Sequence, residues 1–258
     1  MIPISPFNPE IDAIWQAVSA TGARSIAVVS AQPDEGASQI ATALARRAGQ
    51  FAAADAAKLP RRPMATNARA LLVDLDLVCP SQAIALGLTA RDDEIIRLDD
   101  MNLAVLGRIG PAFLEAWRER PVLAEQLMTW RSDWSFVVLD TEPLLKFERR
   151  RGARSTEANR RANPESNVIA GLAAAAAADA CVLVTLAGRT SGSRIRAARE
   201  KLTAAGANLI GSILNDRDNP SLLAELDRQT YRFAKYFPNW MAGLRARMHR
   251  SPILTVRI

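Results

Sequence analysis

A short turn of small and polar residues follows the first strongly apolar run of the chain. The run ends at Ser30, and the turn reads SAQPDEGAS over residues 30–38, immediately before a helical pattern. In this context a GxxxxGK[ST] loop cradles phosphates with its N–H groups, neutralises the β/γ oxygens with its lysine and binds magnesium through its hydroxyl. Gly36 and Ser38 occupy the second glycine and hydroxyl positions. They are the candidate nucleotide-binding residues, and Ser38 is also a candidate metal ligand.

The same turn lacks the positive charge of such a loop. Ala31 replaces the first glycine, and Ala37 replaces the lysine. Asp34 adds a carboxylate where negative charge would have to be accepted. Taken alone, the turn favours an ordinary strand–turn–helix, whose acidic residues interact well with the helix dipole.

Carboxylates follow two further apolar runs. Asp74 and Asp76 lie in LVDLDL over residues 72–77, and Asp140 follows the run FVVL. Ligands of parallel sheets bind at the carboxyl ends of strands, where such carboxylates hold magnesium or orient water. We therefore predict that Asp74 and Asp140 would hold a metal with Ser38. Any activity would depend on Asp76 and Asp140.

The remaining chain alternates strand and helix patterns. Strands are predicted for six aliphatic runs, Ser25–Ser30, Ala70–Asp74, Asn102–Leu106, Phe136–Asp140, Cys181–Leu186 and Leu209–Leu214. Helices are predicted near Gln39–Ala54, Pro80–Leu88, Pro111–Arg131 and Ser191–Ala205, the last ended by Gly206. This alternation predicts an α/β fold with a doubly wound, mostly parallel sheet and helices on both faces, of P-loop NTPase type.

Composition excludes several classes of site. With one histidine and two distant cysteines, the 258 residues offer neither a zinc site nor a Cys/His or Ser/His/Asp catalytic set. Lone cysteines and an N-terminus without a signal sequence predict a cytoplasmic protein. The alanine-rich stretch 169–186 contains Asp179 and turns aliphatic near its end, which indicates a helix, a turn and a buried strand, not a membrane span.

Positive charge is concentrated in two segments. Residues 146–161 hold seven basic and two acidic side chains, and residues 231–258 hold six basic and no acidic ones. We predict a P-loop NTPase-like domain over 1–230, with surface insertions near 52–67 and 146–167, followed by a basic amphipathic tail over 231–258. Localised charge of this kind fits contact with phosphate, anionic lipid or an acidic partner.

In this order the motifs resemble the cytoplasmic ATPase domain of bacterial tyrosine kinases and their CpsD-like relatives in capsule and exopolysaccharide export, within the MinD/ParA superfamily. The family's SAQPGEGKS, LLIDADLRRPS, YDFVIIDTPP and ADGVLLVVRAGKT are similar to residues 30–38, 71–81, 134–143 and 178–190. Residues 206–216 resemble a segment ending in VLN, which implies that Asn215 faces an adenine. The resemblance covers roughly residues 10–218.

The departures from the family fall on its reaction chemistry. The catalytic lysine is Ala37, and the basic residue of the second motif is Val78. The oligomerising ExxRxxR helix of the family would fall near the N-terminus at Glu10, Ala13 and Gln16, without its arginines. The tyrosine-rich tail on which these kinases phosphorylate one another is missing, since the sequence has only Tyr231 and Tyr236. Losing one charged donor to the transition state typically slows such reactions by about two to three orders of magnitude.

The resemblance and its departures imply a degenerate, non-hydrolysing member. We expect it to act as a cytoplasmic scaffold or regulatory partner of a membrane polysaccharide synthase or export complex, in exopolysaccharide, capsule or cellulose production. Its tail would contact an anionic membrane surface, dock in the groove of a partner protein or pack on the domain itself, and membrane contact would place the protein at the inner membrane. ATP or ADP with magnesium would bind weakly at most.

Two other functions stay open. An active ATPase or tyrosine kinase could recruit another basic residue, for which Arg189, Lys146 or an arginine of the second insertion are candidates. A ParA-like nucleic-acid-binding protein could use the basic segments. Neither segment interleaves its arginines with aromatic residues as a base-stacking platform does, so nucleic acid is the less favoured partner.

Overall fold

The structure is a computed structural model. It describes residues 4–58, 69–76, 81–110, 113, 116, 117, 119–145 and 164–217. The chain divides into two compact units, the first comprising residues 1–185 and 190–215 and the second residues 186–189 and 216–258. In the second unit, the Arg189 N–H donates to the Leu186 carbonyl oxygen (3.2 Å). The predicted boundary near residue 230 and the tail lie outside the described residues.

Strands and helices alternate along the described chain. The strands are β1 (Ser25–Ser30), β2 (Ala70–Leu75), β3 (Ile95–Leu98), β4 (Leu103–Leu106), β5 (Phe136–Thr141), β6 (Ala180–Leu186) and β7 (Leu209–Asn215). The helices are α1 (Pro9–Ala20), α2 (Ala37–Lys58), α3 (Gln82–Ala85), α4 (Arg120–Asp133), α5 (Pro164–Ala177) and α6 (Gly192–Ala204), and a 3-10 turn spans Asp99–Met101.

The seven strands form one sheet in the order β3-β4-β2-β5-β1-β6-β7. The pairs β2–β4, β2–β5, β1–β5 and β1–β6 are parallel, whereas β3 runs antiparallel to β4. The predicted α/β fold with a mostly parallel, doubly wound sheet is confirmed. Parallel pairing brings the carboxyl ends of β1, β2 and β5 to one edge, where the candidate site lies.

Both faces of the sheet are buried. Ile26 and Val28 of β1 pack in one core with residues of α1 and α2, whereas Ala27 and Val29 pack in the other with residues of α4, α5 and α6. All residues of β1, β2, β4, β5 and β6 are buried, as their continuous aliphatic sequences predict. Burying one large aliphatic side chain contributes about 1.5–3 kcal/mol to the stability of the fold. The many buried side chains therefore hold the strands, and the site at their ends, in place.

Several predicted boundaries are wrong. Helix α2 continues to Lys58, because residues 52–58 are mostly alanine, so the helix takes up the first half of the insertion expected near 52–67. Helix α5 starts at Pro164, since proline is well tolerated in the first helical turn, so the second insertion ends earlier than predicted. The helix predicted over 80–88 has four residues, and the one over 111–131 is described as α4 from Arg120.

Two elements were missing from the strand and helix predictions. Strand β3 has a half-exposed alternating pattern and only four residues, too few for a clear periodic signal. Helix α1 lies where the family's oligomerising helix was expected, with an N-cap bond from the Glu10 N–H to Asn8 Oδ1 (2.8 Å). The predicted C-terminal glycine is confirmed: Gly206 has φ 72° and its N–H donates to the Thr203 carbonyl oxygen (3.0 Å).

The alanine-rich stretch forms the end of α5, a turn at Asp179 and the buried strand β6, as predicted. Within the part of the chain that the structure describes, no helix combines the length and apolar character needed to cross a bilayer.

Candidate functional site: a P-loop-like turn and a buried carboxyl pair

The turn between β1 and α2 contains two residues with left-handed backbone. Asp34 has φ 65° and Gly36 has φ 88°. A Cβ atom on Gly36 would lie 2.3 Å from Asn215 Nδ2, so glycine is required there for space as well as for conformation. The Asn215 amide donates to the Glu35 carbonyl oxygen (2.9 Å). The structure thus brings the predicted residues Gly36 and Asn215 into contact at the turn.

A carboxylate of the turn itself occupies its interior. Glu35 is 2% exposed, and its Oε2 accepts a hydrogen bond from the Gln32 N–H (2.9 Å). Its Oε1 accepts one from the Thr190 hydroxyl. Backbone N–H groups of such a turn are the donors that a phosphate would need, and here one of them is bound to a carboxylate. Asp34 and Glu35 precede Ala37, the first residue of α2, so the acidic residues lie in the turn before the helix and not in its first turn.

Ala37, at the place of the lysine, is the first residue of α2. It is 6% exposed and belongs to the apolar cluster that covers one face of the sheet. The position therefore supplies packing and no charge.

Asp74 and Asp140 are the next-to-last residues of two adjacent strands, β2 and β5. They are register partners in the β2–β5 pair and are 2% and 0% exposed. Asp74 Oδ1 accepts from the Asp76 N–H (3.1 Å), and Asp74 Oδ2 accepts from the Ser81 and Gln82 N–H groups (2.9 Å each). Burial raises the pKa of Asp74 to about 6, although these N–H groups lower it.

Asp140 is the more deeply buried member of the pair. Its Oδ2 accepts a hydrogen bond from Gln82 Nε2 (2.7 Å), whereas its Oδ1 is buried without a hydrogen-bond partner. Burial, and to a smaller extent the adjacent Asp74 carboxyl, raises the pKa of Asp140 to about 8, although Gln82 and Ser38 lower it by hydrogen bonding. Asp140 is therefore harder to ionise than an exposed carboxyl group.

Gln82, in the first turn of α3, is a site residue that the sequence prediction missed. It is 1% exposed, and its Nε2 donates to the Ser38 carbonyl oxygen (2.9 Å) as well as to Asp140. Its Oε1 accepts from the Thr42 hydroxyl (2.5 Å). No signal in the sequence marks it, because a glutamine after Pro-Ser matches no pattern associated with chemistry.

Arg194 is a second residue that was missed. Its guanidinium donates from α6 to Gln32 Oε1, which places a cation beside the turn. Of the basic residues predicted for that role, Arg189 belongs to the second unit, and Lys146 and the insertion arginines lie outside the described residues. A basic residue near the start of a helix after a buried strand could have been noted in the sequence.

The residues present do not fit a magnesium-bound nucleotide poised for phosphoryl transfer. Of the three predicted metal ligands, Asp140 has one oxygen bound to an amide donor, and both oxygens of Asp74 accept backbone N–H groups. Among the described residues, no group of three or more acidic, histidine or cysteine side chains could hold a metal ion. Asp76, the other predicted catalytic residue, lies directly after β2 and is half-buried.

No family model matches the sequence, and no curated protein matches it. Solved structures are similar in fold. The chimerical protein CapA2B2 has a TM-score of 0.59 and 21% identity, over 82% of this chain and 85% of that one. The kinase domain of Escherichia coli tyrosine kinase ETK has a TM-score of 0.54 and 19% identity, over 79% of this chain and 71% of that one. The septum site-determining protein MinD of Pyrococcus horikoshii, complexed with Mg-ADP, has a TM-score of 0.50 and 16% identity, over 76% of this chain and 72% of that one. The predicted resemblance is thus confirmed at the level of the fold.

Proposed function

We propose that this chain, which has the fold of bacterial tyrosine kinase domains and of MinD, is a P-loop ATPase-like protein that has lost phosphoryl transfer. It acts as a scaffold or regulatory partner of a membrane complex that synthesises or exports exopolysaccharide, capsule or cellulose. The observation that carries the proposal is the buried alanine at position 37, packed in the apolar cluster where the catalytic lysine would supply charge.

The charged and acidic groups around this position also disfavour phosphoryl transfer. The phosphoryl-transfer transition state is stabilised almost entirely by positioned positive charge, including metal ions held by carboxylates. Burial raises the pKa of Asp140 and so disfavours its ionised form, and Glu35 places an acidic side chain inside the turn. Together these features disfavour both a metal ion and a triphosphate.

The role as a partner protein rests on what the chain retains. The buried strands and the turn geometry at Gly36 are intact, so the fold persists without the reaction chemistry. The sequence resemblance to proteins of capsule and exopolysaccharide export suggests the process, envelope polysaccharide production. The basic tail would bind the inner membrane or a membrane protein.

The first experiment measures ATP hydrolysis and nucleotide binding by the purified chain, with and without Mg²⁺, beside Asp140→Asn. We expect the wild-type chain to hydrolyse ATP no faster than the variant. Turnover at a rate typical of ATPases that disappears in Asp140→Asn would refute the loss of catalysis.

The second experiment is genetic. A strain lacking the gene should make less envelope polysaccharide, and a chain carrying Asp140→Asn should restore it as well as the wild-type chain does. Failure of a stably expressed Asp140→Asn chain to restore the polymer would show that the role is catalytic. Unchanged polysaccharide in the deletion strain would refute the assigned process.

One observation favours a second candidate function, an active ATPase. The Arg194 guanidinium contacts Gln32 of the turn and could supply the missing positive charge. In that case Arg194→Gln would abolish nucleotide turnover, whereas Arg196→Gln, an exposed arginine on the same helix, would not.

A further inference from the structure

The side chain of Gln82 connects two parts of the site that are distant in sequence. Its Nε2 donates to the carbonyl oxygen of Ser38 (2.9 Å), in the first turn of α2, and to Asp140 Oδ2 (2.7 Å), near the end of β5. The backbone N–H of the same residue donates to Asp74 Oδ2 (2.9 Å). One buried residue therefore binds the turn region and both carboxyl groups.

The orientation of this amide is fixed by its neighbours. The Thr42 hydroxyl is a donor to Gln82 Oε1 at 2.5 Å. The groups on the other side, the Ser38 carbonyl and the Asp140 carboxyl, offer oxygen acceptors. With the amide reversed, its oxygen would face the Ser38 carbonyl oxygen, which cannot donate a hydrogen bond, so the nitrogen lies on this side.

Oxygen atoms that converge from a carboxyl group and a carbonyl group are the usual surroundings of a hard divalent cation. Here the same kind of atoms surround an amide nitrogen that carries two protons. The amide donors satisfy the oxygens electrostatically, and the nitrogen takes the space close to the carboxyl group.

We infer that Gln82 takes the place of a divalent cation at the carboxyl edge of the sheet, so that the chain itself joins Ser38 to Asp140. The site is then ordered without magnesium and does not respond to it. This inference rests on the proposed function, because it explains how a site without transfer chemistry keeps the geometry of the turn.

The main test replaces the amide with a carboxylate of equal size, Gln82→Glu, and measures Tm with and without MgCl₂. The new carboxylate would lie against the Ser38 carbonyl oxygen, which cannot donate a hydrogen bond, and would lose the amide donor to this oxygen, so Tm should fall in the absence of metal. Magnesium should then raise Tm by about 5–10 °C at saturating concentration, and Mn²⁺ should bind in an EPR titration. The Tm of the wild-type chain should change by less than about 1 °C, well below that range.

Two results would overturn the inference. One is a folded Gln82→Glu chain whose Tm is unaffected by MgCl₂. The other is a wild-type chain that MgCl₂ stabilises and that binds Mn²⁺ in a manner abolished by Asp140→Asn.

A second variant covers the case in which Gln82→Glu does not fold under either condition. Gln82→Met keeps the length of the side chain and removes its hydrogen bonds, so Tm should fall by roughly 5–10 °C, because Asp140 Oδ2 would be buried without a donor. The matched control is Gln126→Met on α4, a half-buried glutamine away from the site, which should change Tm little. Equal effects of the two substitutions would overturn the inference.

The outcomes separate this inference from the proposed function. ATP turnover by the wild-type chain would refute the proposed function and leave the metal measurements to decide the role of Gln82. A cation-sensitive wild-type chain without turnover would refute the role of Gln82 alone.

Discussion

Asp74 and Asp140 are register partners on adjacent parallel strands, and both are buried at the same edge of the sheet. The Asp74 carboxyl disfavours ionisation of Asp140, because two buried negative charges repel one another, and burial disfavours ionisation of both. Two carboxyl groups that could hold a metal are instead held by hydrogen bonds from Gln82.

The raised pKa of Asp140 predicts a specific pH dependence of stability. In the unfolded chain the group has its ordinary pKa of 3.8, and in the folded chain a pKa of about 8, so the folded state binds more protons between these values. The free energy of unfolding should therefore decrease as pH rises from about 4 to about 8, and then level off. Urea unfolding at pH 5 and pH 8 measures the decrease.

Asp140→Asn is the control for this dependence, because asparagine keeps the shape and cannot ionise. A pKa difference of one unit between the folded and unfolded chain contributes about 1.4 kcal/mol to the change in the free energy of unfolding. Without the ionisable group at position 140, the free energy of unfolding should therefore fall much less steeply with pH. The pKa of Asp74 is raised by a smaller amount, to about 6, so part of the decrease in the free energy of unfolding remains at lower pH. Stability that increases from pH 5 to pH 8 in the wild-type chain would contradict the prediction.

The double substitution Ala37→Lys with Asp34→Gly should raise nucleotide affinity. It restores the cation, removes a carboxylate, and places glycine where the backbone is left-handed at φ 65°. Calorimetric titration with ATP in the absence of Mg²⁺ measures the gain. The matched control is Ala37→Met with Asp34→Gly, which has a long side chain and no charge. Equal affinity in the two variants would mean that the added charge does not reach the phosphates.

Gly36→Ala should destabilise the fold by two separable effects. The left-handed backbone costs about 1–2 kcal/mol for a residue with a Cβ atom, and the new atom would lie 2.3 Å from Asn215 Nδ2. Gly22→Ala is the control, because Gly22 has φ 72° and nothing lies within 4 Å of its Cβ position. The excess cost of Gly36→Ala should shrink in an Asn215→Ala background. Equal costs at the two glycines would show that Asn215 moves aside freely.

The basic insertion is predicted to be dispensable for folding, because its composition cannot bury an apolar face. Since α5 starts at Pro164, the deletion should span residues 147–162, joined by a short Gly/Ser bridge. Thermal unfolding should give nearly the same Tm as the intact chain. A comparable deletion that includes the first turns of α5 should lower Tm strongly. Unfolding of the first variant would show that the insertion is packed.

The tail is predicted to provide the functional contact. Its basic residues could add about 1 kcal/mol each near an anionic membrane, in a salt-sensitive manner, whereas docking to a protein would depend on apolar side chains such as Trp240 and Leu244. Liposome sedimentation and partner pull-down should be compared for the intact chain and a chain ending at Asn239, at low and high ionic strength. If the truncated chain retains both interactions, the tail is not the contact surface.

The buried strands and the polar residues at their ends could be predicted from the sequence. Aliphatic runs such as residues 25–30 and 136–140, alternating with helical patterns, fit strands buried on both faces of a parallel sheet, whose carboxyl ends meet at one edge. Asp74, Asp140 and the turn at Gly36 follow directly from that constraint. The absence of the lysine at position 37 could also be read without a structure.

The contacts among these residues depend on the packed fold and could not be predicted from the sequence. The bond from Gln82 to Asp140 joins residues 58 positions apart, and the contact of Asn215 with Glu35 joins residues 180 positions apart. Local patterns encode periodicity and turn chemistry over a few residues, so they hold no information on such contacts. The raised pKa values of Asp74 and Asp140 also depend on the packed fold. They arise from burial and, at Asp140, from the adjacent Asp74 carboxyl, which are properties of the packed sheet and not of either strand alone.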